Sequence, residues 1–371
     1  MRITSATLHP VKVPKRTAFQ VAYATRTALR SALVRLETDA GLVGWGEAVP
    51  VAEVTGERRG ETYARLAAFC AERLPGVDPL AREELRLLLR REMGPWPSAR
   101  CAVDTALWDL RGLATGLSLR RQLGGARTAI RASSSLGIMD TGETVAEVEK
   151  LLAAGFRDIK LKIGLDRRAD EDRVKALRTA LGRDFRLYLD ANQGYTPEEA
   201  IALLTAVADE GVEFIEQPVK AGDLLGLAQV TQASPIPVVA DEAVKGPESL
   251  LPVIASRAAH LVNVKLQKCG GPTEAELMIR LAEAAGLKTM VGCMIESRVG
   301  ITAGLSVALG LANVQYVDLD GAFDLTDDLV AAGGALCAGG EQSLAEGPGL
   351  GLTVDVEKLA LYRDDSPEVN G

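Results

Sequence analysis

Acidic and basic side chains recur at the ends of short apolar runs in the central part of the chain. Asp190, Glu216 and Asp241 each close such a run and Lys265 closes the next, at intervals of 24 to 26 residues. Helix-like stretches lie between the runs, so the pattern predicts consecutive βα units on a parallel sheet. In a (β/α)₈ barrel, catalytic groups lie at the C-terminal ends of the strands. The spacing therefore predicts an enzyme.

The three carboxylates are expected to be neighbours at one end of this barrel. They end three successive strands, and adjacent strands lie roughly 4.8 Å apart, so the side chains can converge on one cation. Three hard oxygen ligands without histidine or cysteine favour Mg²⁺. The alternative is three acids that are solvated or paired with lysines. Because clustered carboxylates repel one another without a metal, we predict one Mg²⁺ per subunit, held by Asp190, Glu216 and Asp241.

Lysines flank the predicted metal site from two directions. Lys160 and Lys162 alternate on the second predicted strand and share one face. Lys265 ends the sixth strand, which lies across a ring of eight. Inward lysines are costly to desolvate unless paired, and a buried lysine or one beside a cation has a lowered pKa and can act as a general base. The pattern suggests that Lys162 and Lys265 flank a metal-bound carboxylate substrate. One lysine would remove a proton from one face of the carbon next to the carboxylate, and the other would return a proton to the opposite face.

Eight apolar runs complete the predicted barrel. Side chains alternate along a strand, so every second residue of a run faces the interior. The predicted strands are 132–138, 159–163, 187–190, 214–216, 238–241, 261–265, 289–293 and 315–320.

The N-terminal part of the chain predicts a separate α+β unit. Residues 31–38 and 42–47 flank a turn and predict a hairpin. Residues 14–29 are polar and without clear period, so they predict a loop, and 50–60 predict another. Residues 61–123 have apolar positions at helical spacing. The two loops are candidates for covering a site on the barrel, but these residues alone favour ordinary connections.

The C-terminal part is expected to return to this unit. After residue 320, a short strand is predicted at 350–354 and a tail helix at 356–362. The predicted boundaries are 1–126 for the N-terminal α+β unit, 127–325 for the barrel and 326–371 for the C-terminal return. The predicted fold class is α/β, a (β/α)₈ barrel with an α+β unit to which both termini contribute.

Composition excludes several classes of protein. The net charge of −8 leaves no basic stripe for nucleic acid, and no apolar run has the length of a membrane span. Five scattered cysteines lack the spacing of zinc sites or disulfide frameworks. Only His9 and His260 occur, which argues against histidine-based triads. We expect a cytoplasmic enzyme, without a signal peptide, that acts on a small molecule and forms a homo-oligomer.

Five short motifs occur in a fixed order along the predicted strand ends. They are Lys160-Leu161-Lys162, Asp190-Ala191-Asn192, Glu216-Gln217-Pro218, Ala240-Asp241-Glu242 and Lys265-Leu266-Gln267-Lys268-Cys269-Gly270-Gly271. Together they resemble the enolase superfamily, in its muconate-lactonising subgroup, over nearly the whole chain. The resemblance implies a modified TIM-like barrel under a capping domain whose first loops close on the substrate. It also implies the superfamily's known chemistry, in which a lysine base and Mg²⁺ produce and stabilise an enediolate.

The stretch Val317-Asp318-Leu319-Asp320-Gly321 points to one reaction within the subgroup. It resembles the Asp-x-Asp motif with which dipeptide epimerases of this family bind the substrate's α-ammonium group. An anion pair suits an amine and disfavours a muconate or succinyl tail. Two acids that merely cap a strand end are the alternative. Glu296 and Ser297 on predicted strand seven are also epimerase-like, and Ser135 on strand one is a further candidate for substrate contact.

The resemblance implies conversion of L,L- to L,D-dipeptides by 1,1-proton transfer at the Cα of the C-terminal residue. Lys162 and Lys265 would be the two acid/base groups. Lys160 would lower the pKa of its neighbour and stabilise the enediolate oxygen.

Other activities remain open from the sequence. An N-acylamino acid racemase, an o-succinylbenzoate synthase or a muconate cycloisomerase of the same subgroup would keep every metal and lysine position. A Schiff-base aldolase would use Lys265 as a nucleophile and would need no metal ligands. A binding protein without catalysis would not need the chemical positions to be intact.

The side-chain specificity of the dipeptide is also open. Relatives that accept an acidic second residue carry an arginine in the first capping loop, and the comparable position here is Ala24, with Arg26 nearby. Asp324 would favour a cationic side chain. Phe19 and Tyr23 would favour an apolar one.

Overall fold

The computed structural model describes residues 1–21, 24–364 and 366. The N-terminal part is an antiparallel sheet packed on helices. Its strands are β1 (Ile3–Val21), β2 (Ala24–Thr38) and β3 (Val43–Ala48), paired in that order, and its helices are α1 (Arg59–Arg73), α2 (Arg82–Met93), α3 (Pro97–Thr115) and α4 (Leu119–Gln122). β3 lies directly on α3, since a Cβ at Gly46 would be 1.9 Å from the main-chain oxygen of Ala102. The predicted hairpin is confirmed by the pairing of β2 with β3.

Eight parallel strands follow the short β4 (Ala129–Arg131) and form a nearly closed barrel. They are β5 (Ser133–Leu136), β6 (Asp158–Lys162), β7 (Arg186–Asp190), β8 (Val212–Glu216), β9 (Val238–Ala240), β10 (Leu261–Lys265), β11 (Lys288–Gly292) and β12 (Val314–Asp318), side by side in chain order. The side-chain hydroxyls of Ser133 and Ser135 on β5 donate to Asp318 on β12, at 3.2 and 2.7 Å, and join the first strand to the last. The predicted barrel is confirmed, with strand ends shifted by at most two residues.

Helices alternate with these strands and the C-terminal part adds short antiparallel strands. The helices are α5 (Thr141–Ala153), α6 (Arg167–Leu181), α7 (Pro197–Ala206), α8 (Leu224–Ala233), α9 (Pro247–Ala255), α10 (Leu266–Cys269), α11 (Pro272–Ala284) and α12 (Arg298–Gly310), with a 3-10 turn at Ala208–Glu210. The last elements are β13 (Val330–Gly333), β14 (Ala335–Ala338), β15 (Glu341–Leu344), β16 (Leu352–Val354) and α13 (Val356–Leu361). None of the helices in these described ranges combines the length and apolar character needed to span a membrane.

Aromatic side chains close one end of the barrel interior. The rings of Tyr188 and Phe214 are stacked with centroids 4.4 Å apart, and Tyr316 meets both edge-on. Because side chains alternate along a strand, the next inward residues on β7 and β8 are Asp190 and Glu216. The aromatic layer therefore separates Asp190 and Glu216 from the N-terminal end of the barrel.

The loop predicted at residues 14–29 is wrong. Its described residues belong to β1 and β2, which stay paired up to Val21 and Ala24. Main-chain bonds hold this ribbon to the barrel: Arg16 N donates to Asp324 O at 2.8 Å and Ile138 N to Gln20 O at 3.1 Å. A ribbon fixed in this way needs no alternation of apolar side chains, so the sequence carried no strand signal.

Acidic side chains of the N-terminal unit cap helices of the barrel. Glu47 on β3 accepts the Ser297 hydroxyl at 2.7 Å and the Gly300 N–H at 3.0 Å, at the start of α12. Asp104 on α3 accepts the N–H and hydroxyl of Thr273, at 2.8 and 2.7 Å, at the start of α11. The first N–H groups of a helix lack partners within it. These contacts therefore join the two parts of the chain through hydrogen bonds that the barrel helices need.

The C-terminal residues contact both parts. β15 pairs with β4, and β13 pairs with β16. Lys12 N donates to Tyr362 O at 2.9 Å and Asp364 N to Pro10 O at 3.0 Å, so the end of the chain lies along β1.

Asp109 on α3 predicts a pH dependence of stability. It is buried and accepts the N–H groups of Trp45 at 2.9 Å and Leu350 at 2.7 Å. Desolvation raises its pKa from 3.8 to about 7. A carboxyl whose pKa is higher in the folded state stabilises the fold fully below its unfolded pKa, and this contribution falls as the pH rises from there to the folded pKa. Asp109→Asn should therefore reduce the fall in melting temperature between about pH 4 and pH 7.

Thermal unfolding followed by circular dichroism at several pH values checks this expectation. The control is Asp184→Asn at an exposed position, which should keep the wild-type dependence. An Asp109→Asn protein with the wild-type slope would contradict it.

Candidate active site

The structure collects the predicted acids and lysines at the open end of the barrel. Asp190 and Glu216 are the last residues of β7 and β8, and Asp241 directly follows β9. All three are completely buried. Lys162 ends β6 and Lys265 ends β10, so the two lysines enter this end from strands that lie four apart in the sheet.

Lys160 connects the carboxylates. Its Nζ lies 3.0 Å from Asp190 Oδ2, 2.7 Å from Glu216 Oε2 and 2.6 Å from Asp318 Oδ2, and its side chain is not exposed. Burial alone would lower the pKa of Lys160, but the carboxylates of Asp190, Asp318 and Glu216 outweigh burial and raise it well above its usual value. Lys160 is therefore a permanent positive charge in the middle of the site.

The two outer lysines contact different members of the carboxylate set. Lys162 Nζ lies 2.6 Å from Asp190 Oδ2, and Lys265 Nζ lies 2.8 Å from Asp241 Oδ2. Each lysine is 7% exposed, which leaves its head group at the boundary of the mouth. The expectation of a lowered pKa is wrong for Lys265. Burial lowers its pKa, but Asp241 and Glu216 reverse the effect and hold it well above the usual value.

The donor set fits a hard divalent cation. Among the described residues, no three Asp, Glu, His or Cys side chains already surround one point as metal ligands do. The carboxylates pair with lysines instead. Glu216 Oε2 is buried and accepts no well-aligned hydrogen bond, although Lys160 Nζ lies 2.7 Å away. Desolvation and the charge of Asp190 raise the pKa of Glu216 to about 8. A cation among these oxygens would relieve both penalties, and carboxylate oxygens are the ligands that Mg²⁺ prefers.

Left-handed residues follow two of the candidate ligands. Asn192 and Gln217 have φ of 41° and 35°, a conformation that costs a residue other than glycine on the order of 1–3 kcal/mol. The turn after β7 lets Asn192 N donate to Asp190 Oδ1 at 3.0 Å. The strained backbone at Asn192 therefore places an N–H group that orients the carboxylate of Asp190.

Sequence reasoning missed several polar residues that support the acids. Asn263 on β10 donates its amide to Glu216 Oε1 at 2.7 Å, and Asn192 donates to Glu242 at 3.1 Å. Lys268 donates to Asp241. Asn263 lies two residues before Lys265 and so shares its inward face. That alternation is the signal that could have identified it.

Asp318, the last residue of β12, and Asp320, two residues after it, have different surroundings. Asp318 contacts Lys160 and accepts the Ser133 and Ser135 hydroxyls. Asp320 accepts the Ser135 N–H at 2.7 Å, and among the described residues no donor reaches its other oxygen. Desolvation and the charge of Asp318 raise the pKa of Asp320 to about 6. Asp320 is therefore the acid with capacity to accept a ligand's ammonium group.

Glu296 and Ser297 support the fold around the site. Ser297 is the residue directly before α12 and donates its hydroxyl to Glu47. Glu296 accepts the Gln267 amide at 3.0 Å and the Met294 N–H at 2.9 Å. Both side chains are nearly fully buried. Their role as substrate contacts stays a prediction.

The residues considered for side-chain specificity have local partners. Asp324 accepts the Thr17 hydroxyl at 2.6 Å and lies 3.0 Å from Lys15 Nζ. Arg26 pairs with Glu53 at 2.9 Å.

The other residues considered for side-chain specificity are Ala24, Phe19 and Tyr23. Ala24 begins β2 and is paired with Val21 in the ribbon. Phe19 is half-buried beneath Lys15. Tyr23 lies outside the described residues.

Known proteins resemble this chain along almost its whole length. The L-Ala-D/L-Glu epimerase of Bacillus subtilis is 35% identical, over 95% of this chain and 97% of the relative. The L-Lys-D/L-Arg epimerase of Methylococcus capsulatus is 36% identical, over 95% of this chain and 99% of the relative. The crystal structure of the dipeptide epimerase of Enterococcus faecalis, complexed with Mg and L-Leu-L-Tyr, superposes with a TM-score of 0.92 at 34% identity, covering 95% of this chain and 100% of that one.

Two family models match consecutive parts of the chain. Residues 3–124 match the mandelate racemase / muconate lactonizing enzyme N-terminal domain. Residues 143–359 match the enolase C-terminal domain-like model, which contains every acid and lysine of the barrel mouth. The chain belongs to the enolase superfamily, in its mandelate racemase and muconate lactonizing enzyme branch.

Proposed function

We propose that this isomerase converts L,L- to L,D-dipeptides by moving the proton at the Cα of the C-terminal residue, with Mg²⁺ as its cofactor. The observation that carries the proposal is the placement of Lys162 and Lys265, which enter the barrel mouth from strands four apart and contact different carboxylates. The relatives from Bacillus subtilis and Methylococcus capsulatus, each matched over 95% of this chain, are an L-Ala-D/L-Glu epimerase and an L-Lys-D/L-Arg epimerase. The similar dipeptide epimerase of Enterococcus faecalis was crystallised with Mg and a dipeptide.

The candidate metal ligands are Asp190, Glu216 and Asp241. When bound there, Mg²⁺ supplies the positive charge that attracts the substrate's terminal carboxylate and stabilises the charge that develops on it. Lys160 adds a fixed positive charge between Asp190 and Glu216. Preorganised charge of this kind stabilises the transition state more than the ground state.

The outer lysines hold and move the proton. With the dipeptide's Cα between Lys162 and Lys265, one Nζ removes the proton from one face and the other returns a proton to the opposite face. The product has the opposite configuration at that carbon. A Schiff-base aldolase fits less well, because it would need no metal ligands. Here Asp190, Glu216 and Asp241 lie at the ends of three neighbouring strands.

A screen of dipeptides in D₂O tests the function. The enzyme with Mg²⁺ is incubated with a library of L,L-dipeptides, and deuterium at the C-terminal Cα is measured by mass spectrometry. Exchange accompanied by formation of the L,D epimer supports the proposal. Absence of exchange across the library would reject it.

The amine anchor gives a prediction for substrate analogues. Asp320 has a free oxygen beside the charge of Asp318, so this end of the site suits the α-ammonium of a dipeptide. N-acetylation of the best dipeptide removes that charge. A lost charge-assisted contact is worth roughly 1.5–3 kcal/mol, or about one to two decades in kcat/KM.

Steady-state kinetics on the free and acetylated dipeptide measure this loss. The Asp320→Asn variant serves as the matched comparison, since it should discriminate less between the two. Faster turnover of N-acylated amino acids than of free dipeptides would move the assignment to an N-acylamino acid racemase.

Further proposals concern organisation. We propose that residues 1–126 and 326–371 form the capping domain over the barrel of residues 127–325, supported by the bond from Lys12 N to Tyr362 O. A homo-oligomer in the cytoplasm is proposed from the sequence alone.

A further inference from the structure

Asp241 differs from the other two candidate ligands in how its main chain is held. Asp190 and Glu216 are the last residues of β7 and β8 and take part in the strand pairing of the barrel. β9 spans only Val238–Ala240, so Asp241 lies one residue beyond its strand. The pairing of the barrel strands does not fix this residue.

Two buried side chains hold the main chain of Asp241, together with one turn bond from Val244 N to Asp241 O at 3.0 Å. Gln217 Oε1 accepts the N–H of Asp241 at 2.9 Å and that of Ala243 at 3.0 Å. Lys268 Nζ donates to the main-chain oxygen of Asp241 and, at 3.1 Å, to that of Asn263 on β10. Gln217 is 0% exposed and Lys268 is 1% exposed, so water does not compete for these bonds.

Lys268 also holds the carboxylate of Asp241. Its Nζ donates to Oδ1, while Lys265 Nζ lies 2.8 Å from Oδ2. The ammonium group of Lys268 thus has three partners, one carboxylate oxygen and two main-chain oxygens, which matches its three N–H groups. No donor of Lys268 is left for a substrate.

We propose that Lys268 is a positioning residue that fixes the main chain and carboxylate of Asp241 for Mg²⁺ binding. The inference rests on the proposed function, since it takes Asp241 as a metal ligand. Removing a group that orients a metal ligand typically weakens metal binding by about 10- to 100-fold. Charge alone predicts the opposite sign, because loss of a buried cation should strengthen the binding of another cation. The direction of the change separates the two roles.

Mg²⁺ titration of Lys268→Met tests the inference. The substitution keeps an unbranched apolar side chain and removes all three donors. We expect a folded protein, by circular dichroism, whose dissociation constant for Mg²⁺ in isothermal titration calorimetry without substrate is roughly 10- to 100-fold higher than that of the wild type. Lys245→Met is the matched control, an exposed lysine just after Asp241, and should bind Mg²⁺ as the wild type does.

The outcomes distinguish this inference from the proposed metal site. If wild type and Asp241→Asn bind Mg²⁺ equally, the metal site itself is rejected. If Asp241→Asn binds more weakly but Lys268→Met binds as well as or better than the wild type, the positioning role alone is overturned. Should Lys268→Met fail to fold, Lys268→Gln decides, because it keeps two donors without the charge: a smaller loss of affinity is expected, and no loss would overturn the role.

Discussion

Replacing Asp241 by asparagine is expected to abolish turnover while the fold survives. The substitution keeps the size of the side chain but removes one oxygen and the negative charge of a proposed Mg²⁺ ligand. A bound metal contributes several kcal/mol of transition-state stabilisation, so kcat/KM should fall by roughly 10³-fold or more. Treatment of the wild type with EDTA should have the same effect, and added Mg²⁺ should restore activity to the wild type only. Epimerisation assays and circular dichroism measure the two parts of this expectation.

The control for this change is Asp209→Asn, an exposed aspartate in the 3-10 turn, which should keep full activity. The charge balance at the site predicts some loss of stability in Asp241→Asn, because Lys265 and Lys268 would both lose their carboxylate partner. Full activity in EDTA-treated wild type would reject the metal site.

The barrel and its charged end could be predicted because two regularities act together. The interval between strands is nearly constant, and parallel strands bring their C-terminal ends to one side of the sheet. Alternation along a strand then places Lys160 and Lys162 on one face. These rules need no knowledge of side-chain packing, so the positions of the acids and outer lysines follow from the sequence.

The pairing of these groups could not be predicted. Lys160 lies among the carboxylates of Asp190, Glu216 and Asp318, which come from β7, β8 and β12. Which acid a flexible lysine contacts depends on distances of a few tenths of an ångström across the barrel. The raised pKa of Lys265 arises in the same way, since burial and carboxylate charge act in opposite directions and only the geometry decides between them.

Residues just beyond a strand end are harder still. Glu296 and Ser297 follow β11, and the sequence placed them at the mouth beside the substrate. In the structure Ser297 donates to Glu47 on β3 and Glu296 accepts the Gln267 amide, and a contact of either residue with the substrate stays a prediction. Direction after a strand depends on a few backbone dihedral angles that residue types do not specify. The ribbon of β1 and β2 could not be predicted for a related reason. Main-chain bonds to barrel loops stabilise it, and residue types do not specify those bonds.

Replacing Lys162 or Lys265 should affect proton removal from different epimers of the dipeptide. Lys162 and Lys265 lie on strands four apart, so they face opposite sides of a Cα placed between them. One lysine should remove the proton from the L centre and the other from the D centre. Loss of either general acid/base group should therefore lower epimerisation by roughly 10²- to 10⁴-fold. Each single variant can still exchange the Cα proton of one epimer with D₂O, because the remaining lysine removes and returns it on its own face.

Lys162→Ala and Lys265→Ala should thus differ in which epimer of the dipeptide gains deuterium, as measured by NMR of each pure epimer in D₂O with Mg²⁺ present. Lys288→Ala is the matched control. Lys288 begins β11 at the opposite end of the barrel and is exposed, so its loss should leave epimerisation and both exchange reactions intact. If the same epimer exchanges in both variants, or if either variant still epimerises at the wild-type rate, the two lysines do not act on opposite faces. Exchange of opposite epimers would follow only from a carbon held between two separate bases, because a single base on one face exchanges one configuration in every variant that retains it.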